Sequence, residues 1–158
     1  MDVKKCVECG SASLRKGVER HTQKVGGQAF VAELPAQTCA KCGEPLVSQE
    51  TLEAFEQAVA RHLAEHGPAT GETFRFMRKA VGIPAKEVAE LLATTPETVS
   101  RWENGARDVD LWAWTTLGSV VLDELVGKSA TRDRLREAQA KKLAKTVAID
   151  VGKDSAAE

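Results

Sequence analysis

Four cysteines lie in two matched motifs, each with two residues between the cysteines and a glycine after the second. Cys6 and Cys9 form the first motif, and Cys39 and Cys42 form the second. Two intervening residues let both thiolates of a tight turn face one ion, and four thiolates complete a tetrahedral site with no position for water or substrate. The spacing therefore predicts one structural Zn²⁺ per chain. Bound iron and redox-active dithiols are the alternatives that the pattern leaves open.

The segments that must position these cysteines are strand-like. Residues 14–20 and 30–34 show partial alternation of apolar and polar side chains, and Gly26 and Gly27 between them suit a hairpin turn. Residues 1–47 are therefore predicted to form a small zinc-binding β-hairpin domain.

The rest of the chain has helical periodicity. Ser48 can cap a helix that carries apolar residues on one face and ends at Gly67, so residues 48–71 are predicted to be a linker helix and linker. Residues 72–128 read as an all-α domain of short helices followed by a longer apolar one, and Thr95 can cap the third short helix with Pro96 at its first position. Over 129–158 we expect a basic helix, from Thr131 to Lys145, and then a disordered tail. The predicted fold class is α+β.

Composition limits the class of protein. The chain has 158 residues, of which 42% are hydrophobic and 28% charged, and no apolar run is long enough to span a bilayer. Its start has no apolar signal segment, so we expect a cytoplasmic protein whose thiols stay reduced. The net charge of −1 does not favour nucleic acid, but residues 132–145 hold six cations against Asp133 and Glu137. That stretch is equally well explained as a set of phosphate contacts or as a solvated helix.

One motif resembles a catalytic metal site. His62, Glu65 and His66 match the HxxEH pattern of inverted zinc peptidases. The predicted helix ends one residue later, and the sequence shows no nucleophile, phosphate loop or open metal site around it. We therefore expect a solvated helix end there and no enzymatic activity.

Residues 94–105 carry the most specific pattern, because they resemble the recognition helix of the Xre/Cro family of helix-turn-helix proteins, which includes the lambdoid phage repressors. Residues 78–83 and 87–92 resemble the family's first two helices, so the similarity covers about residues 72–110. It implies an ion pair between Arg78 and Glu103 that ties the first helix to the recognition helix. Ala85 departs from the glutamine common in the family, and the adjacent Lys86 is the substitute we expect to contact phosphate.

The resemblance also implies which side chains meet DNA. Val99 and Trp102 point inward, whereas the opposite face enters the major groove. Arg101 suits guanine O6 and N7, and Glu97 suits cytosine N4, although an acidic residue here also simply suits the helix dipole. The predicted DNA-binding residues are Lys86, Thr95, Pro96, Glu97, Thr98, Ser100, Arg101 and Asn104.

The two halves together resemble the MqsA-type antitoxins, also called the YgiT zinc-finger family, over about residues 4–110. Members pair a cysteine-knuckle domain with an Xre domain, dimerise through the helix-turn-helix end and repress their own operon at a palindromic operator. Their zinc domain engages a toxin. The resemblance thus implies an antitoxin-like repressor that binds double-stranded DNA. A stand-alone regulator without a toxin and a zinc- or redox-responsive regulator are the alternatives.

The chain departs from that layout after Asp110, where a long apolar helix begins. Its apolar surface exceeds what one small domain needs to bury, so we expect it to supply both core and a homodimer interface. The residues predicted for this interface are Leu111, Trp112, Trp114, Leu117 and Val121.

Overall fold

The computed structural model describes residues 4–140 and 145–150, so the disordered tail predicted over residues 150–158 lies, apart from Asp150, outside the described residues. Its elements confirm the α+β class, with an antiparallel sheet followed by helices. The strands are β1 (Leu14–Val25), β2 (Gln28–Cys39) and β3 (Pro45–Leu46). The helices are α1 (Gln49–His66), α2 (Gly71–Ala80), α3 (Ala85–Leu91), α4 (Pro96–Glu103), α5 (Leu111–Glu124) and α6 (Ala130–Gln139). Within the described residues, no helix is long and apolar enough to cross a membrane.

The sheet is a long hairpin with a short third strand, in the order β1-β2-β3. Its turn is the predicted one, because Gly26 and Gly27 have φ of +60° and +75° and join strands whose last pair is Val25 with Gln28. Two successive residues with positive φ form the tight turn that fits the twist of a hairpin. Both strands run for 12 residues, longer than the patterned segments, and bring Cys39 opposite Leu14 at the far end.

Helix α1 begins and ends where the local chemistry predicts. The Ser48 hydroxyl accepts the backbone N–H of Thr51 at 3.2 Å, and the N–H of Gly67 closes the last turn on the carbonyl of Leu63. Spacings of three and four place Phe55, Val59 and Leu63 on the buried face.

One hydrophobic core runs through most of the molecule. It takes Val25 from the end of the hairpin that carries the turn and Leu34 from the middle of β2, together with the buried faces of α1 to α5. Gly71 permits the closest approach, since a Cβ there would lie 1.8 Å from the carbonyl oxygen of Trp102. The core is therefore continuous across the predicted linker at 67–71, and the division of the chain into separate domains stays a prediction.

The prediction of a helix from Thr131 to Lys145 is wrong at its end. Helix α6 stops at Gln139, and residues 145–150 are not helical, while 141–144 lie outside the described residues. No residue of α6 is buried, and Leu135 is its one side chain packed on the core. A helix draws most of its stability from packing, so one anchor supports only a short helix.

Candidate functional site

The hairpin brings the four predicted metal ligands together at its open end. The sulfurs of Cys6, Cys9, Cys39 and Cys42 all lie within 4.8 Å of one another. Cys6 and Cys42 are separated by 3.5 Å, and Cys9 and Cys39 by 3.6 Å. A tetrahedral zinc ion with bonds of about 2.3 Å sets its sulfur ligands about 3.8 Å apart. The spacing and the donor set therefore fit a single tetrahedral ion.

The two cysteine turns have the same backbone geometry. The N–H of Gly10 donates to the carbonyl of Cys6, and the N–H of Gly43 donates to the carbonyl of Cys39, each at 2.9 Å. Both glycines have positive φ, +69° and +78°. One turn precedes β1 and the other links β2 to β3, so strand pairing sets the distance between them.

Backbone groups around the sulfurs favour the thiolate form at one position. The N–H of Cys42 faces the sulfur of Cys39, and despite the opposing effect of desolvation it lowers the pKa of Cys39 to about 6, helped by the N–H of Lys41. At Cys42 the N–H of Glu44 acts in the same direction. There, desolvation and the neighbouring thiols outweigh it and raise the pKa to about 12. Metal ligation requires thiolates, so a bound cation would displace any proton held by Cys39 or Cys42.

The cysteine cluster has few apolar neighbours. Among the described residues, its buried members are Cys6, Cys39 and Leu46, with Cys9 and Leu14 partly buried against them. Four thiolates would leave a bound ion no open position, so the cysteines could hold a metal but would not offer it to a substrate.

A second region, around α4, presents an ordered polar surface. Val99 and Trp102 on its inner face are buried in the core. The Thr95 hydroxyl caps the helix by accepting the N–H of Thr98 at 3.2 Å, and Pro96 occupies the first turn, as the sequence predicts.

The predicted pair of Arg78 and Glu103 is formed. The Nη2 of Arg78 donates to Oε2 of Glu103 at 2.8 Å, and its Nε donates to the other carboxylate oxygen. A third bond runs from Nη1 to the carbonyl of Ile83 at 3.3 Å. Only 12% of the arginine side chain and 8% of the glutamate side chain are exposed. The pair therefore joins the end of α2, the turn after it and the end of α4.

The residues predicted to contact DNA are accessible. Thr98 is half-buried and the others are exposed, and all but Lys86 lie on α4 or at its two ends. The Asn104 amide donates to the Ser100 hydroxyl at 3.3 Å, which orients both on this surface. Lys86 lies in the first turn of α3.

The residues predicted for a dimer interface divide into two groups. Trp114, Leu117 and Val121 are buried in the chain's own core, and the indole N–H of Trp114 donates to the Thr73 hydroxyl at 3.2 Å. Leu111 and Trp112 are 64% and 80% exposed. A second chain could therefore reach only these last two directly.

Sequence reasoning missed two residues. Thr73 is fully buried, donates its hydroxyl to the carbonyl of Pro68 at 2.6 Å and accepts from Trp114. Only tertiary contacts reveal that role. Arg107 is exposed just after α4, and its N–H donates to the carbonyl of Arg101 at 3.2 Å. The sequence signal for Arg107 is a basic residue two positions after the turn glycine Gly105.

The HxxEH motif has no cluster around it. The rings of His62 and His66 lie 4.7 Å apart on the exposed side of α1. Among the described residues, the four cysteines form the one group of three or more side chains spaced to hold a metal.

Fold and site together define a small α+β protein with a four-cysteine metal-type cluster at one end and an exposed polar helix on a helical body at the other. Residues 4–117 match the model of a family described as MqsA, the antitoxin component of a bacterial toxin–antitoxin system. Since this match covers well over half of the 158 residues, the chain belongs to the MqsA antitoxin family. No curated protein matches the chain. The predicted family is thereby confirmed, and α6 lies outside the matched segment.

Proposed function

We propose that this chain is a cytoplasmic antitoxin that represses its own operon by inserting α4 into the major groove of a palindromic operator. Its zinc-bearing hairpin end engages the toxin. The observation that carries the DNA-binding part is that α4 has one buried and one exposed face. Val99 and Trp102 anchor the buried face in the core, and Arg101 and its neighbours lie on the exposed face. Family membership supports the antitoxin part.

The geometry of α3 and α4 supports reading them as a helix-turn-helix. The turn between them includes Ala93 at a φ of +49°, and the N–H of Thr94 donates to the carbonyl of Ala89 at 2.9 Å. A recognition helix must resist rotation when it enters a groove, and the bidentate pair of Arg78 and Glu103 provides that resistance. Arg101 is then the residue we assign to guanine and Lys86 the one we assign to phosphate.

The chemistry of the cluster supports zinc, one ion per chain, with a structural role. Thiolate-rich tetrahedral sites favour zinc, and the sulfur separations suit its bond length. We propose that the ion keeps the hairpin end in the shape that the toxin binds.

The exposed side chains of Leu111 and Trp112 support a homodimer that places two α4 helices on successive half-sites. Half-sites one helical turn apart lie about 34 Å from centre to centre.

The decisive test is Arg101→Ala on the DNA directly upstream of the chain's own coding sequence. We expect operator binding to weaken by about 1–3 kcal/mol, because a bidentate base contact is lost, while binding to scrambled DNA changes little. Fluorescence anisotropy at fixed salt measures both. Arg61→Ala, an exposed arginine on α1, removes the same charge away from α4 and serves as the control. Equal operator binding by wild type and Arg101→Ala would show that α4 does not read the site.

Two further measurements separate the alternatives. Copurification of a small RNase-like protein encoded beside this gene supports the antitoxin over a stand-alone regulator. In our proposal the helices keep the large core, which the cysteine cluster does not join, so removal of zinc leaves operator affinity nearly unchanged. Loss of operator binding on chelation or oxidation would instead favour a zinc- or redox-responsive regulator.

A further inference from the structure

A groove of about 570 Å³ opens beside the start of α5. The end of α3, the turn after it and α6 all contribute to its walls. The apolar residues that line it are Leu91, Leu92, Trp102, Ala113, Leu135 and Ala138.

A large apolar side chain stands at the edge of this groove. Trp112 lines the groove yet is 80% exposed, and the neighbouring Leu111 is 64% exposed. A tryptophan is among the side chains that gain most from burial, so one left in solvent beside an apolar groove marks an interaction surface.

We propose that the groove receives Trp112 of a second copy of this chain, while its own Trp112 enters the groove of that copy. The inference rests on the proposed homodimer and assigns its contact surface. A two-fold interface uses the same patch on both chains, so the patch must be complementary to itself. This patch meets that condition, since the projecting indole and the receiving groove are adjacent.

The charged residues at the groove are also complementary to themselves about a two-fold axis. Arg107 and Asp110 both line the groove beside Trp112. A two-fold axis through the patch brings the arginine of one chain toward the aspartate of the other, and attraction replaces the repulsion that a single-sign patch would produce.

A stable dimer of this kind must bury the groove walls as well as the two tryptophans. Two buried tryptophans supply roughly 300–500 Å². A stable interface buries about 1,200–2,000 Å², so the indoles form its apolar centre and the groove walls and Leu111 supply the rest.

The proposal also gives α6 a role. Leu135 and Ala138 on this helix build one side of the groove. Its position is fixed by Arg136, which donates to Glu87 at 3.0 Å, and by Gln139, which donates to the carbonyl of Leu91 at 2.9 Å. Because α6 lies beyond the family match, which ends at residue 117, the α6 side of this groove is an addition to what the family model covers.

Sedimentation velocity on the zinc-loaded full chain, over a range of concentrations, tests the interface. Trp112→Ala removes the inserted side chain, and Ala138→Trp fills the groove from α6 without altering a buried position. We expect each to weaken dimerisation by at least about tenfold, as loss of a central tryptophan does. Val18→Ala changes an exposed apolar residue on the hairpin and should have no effect. Circular dichroism checks that each variant is folded.

Mixing the two variants is the sharper test. Trp112→Ala keeps an intact groove and Ala138→Trp keeps an intact Trp112, so the mixture restores one of the two contacts. Native mass spectrometry should show a heterodimer more populated than either variant homodimer. If Trp112 instead folds into the groove of its own chain, mixing restores nothing and the proposal is overturned.

The inference and the proposed function can fail separately. A wild-type chain that stays monomeric, or a Trp112→Ala dimer as stable as wild type, overturns the contact assigned here but leaves an Arg101-dependent operator contact intact. Insensitivity of operator binding to Arg101→Ala, with dimerisation still dependent on Trp112, refutes the reading of α4 and not the interface.

Discussion

The two ends of the hairpin are built from the same strands but are held by different forces. At the turn, Val25 joins a core that also holds Leu34 from the middle of β2 and the buried faces of α1 to α5. At the open end, the buried cluster contains only Cys6, Cys39 and Leu46, with two partly buried neighbours. The comparison shows that, among the described residues, the four cysteines lie at the end of the hairpin with the smaller apolar cluster.

Approximate free energies support this difference between the two ends of the hairpin. Full burial of a leucine stabilises a fold by about 1.5–3 kcal/mol. Ordering one residue of backbone costs about 1–2 kcal/mol. Burial of Leu46 therefore offsets the ordering of one or two residues, whereas each cysteine turn orders several. We propose that metal binding supplies the balance, since it contributes about 10–16 kcal/mol in small zinc domains.

The largest predicted effect comes from removing a metal ligand. Cys39→Ser should abolish tight zinc binding and unfold the cysteine end, because the remaining apolar contacts cannot order it. Hydrogen exchange should lose protection over residues 4–13 and 40–47. Protection at Val25, Leu34 and the helices should persist, since they share the large core. Thr38→Ser, one residue away, keeps all four ligands and is the control.

Two outcomes of the Cys39→Ser experiment would contradict this difference between the two regions. If α2 to α5 lose protection together with the cysteine end, the two regions form one cooperative unit and the metal stabilises the whole chain. If residues 4–13 stay protected without zinc, apolar packing is sufficient there and the structural role of the ion is wrong.

A smaller effect is expected on the helical side, from Glu103→Gln. The variant leaves Arg78 almost buried without a charged partner, so unfolding of the helical body should become easier by about 3 kcal/mol, with zinc content unchanged. Chemical denaturation followed by circular dichroism, with a zinc assay in parallel, measures both. Glu124→Gln breaks the more exposed pair with Arg132 and should cost less than about 1 kcal/mol. Equal costs for the two variants would show that burial does not set the strength of these pairs.

Features with local chemistry were predictable from sequence. The cysteine spacing, the glycine turn of the hairpin and the caps Ser48 and Thr95 depend on neighbouring residues, and the structure has each where the pattern predicts. Trp112 and Trp114 show the limit of such reasoning. Both lie in one apolar helix two residues apart, and only the packing of that helix decides that Trp114 is inside and Trp112 outside.

The wrong end of α6 and the missed role of Thr73 both come from tertiary contacts that local sequence does not indicate. The end of α6 was misplaced because its periodicity continues in the sequence while its contact with the core is limited to Leu135. The role of Thr73 was missed because a threonine near a helix start reads as a capping residue. Its bond to Trp114 connects positions 41 residues apart, which no local pattern indicates.

The smallest predicted effect is at the junction of α5 and α6, and it compares the stability of α6 with that of the other helices. The backbone N–H of Thr131 donates to the Asp123 carboxylate at 2.8 Å, and this bond, with the Thr131 hydroxyl, lowers the pKa of Asp123. The pKa of Asp123 is therefore lower in the folded chain than in the unfolded chain, where it is near 3.9. The bond stabilises the junction fully above the unfolded pKa, and this stability is lost as the pH falls through the folded pKa. We therefore expect α6 to lose hydrogen-exchange protection in acid before α2 to α5 do. In Asp123→Asn the side chain stays neutral, so the stability difference from wild type should shrink as the pH falls below about 4. A difference that stays constant down to the acid limit would mean that Asp123 does not hold α6 in place.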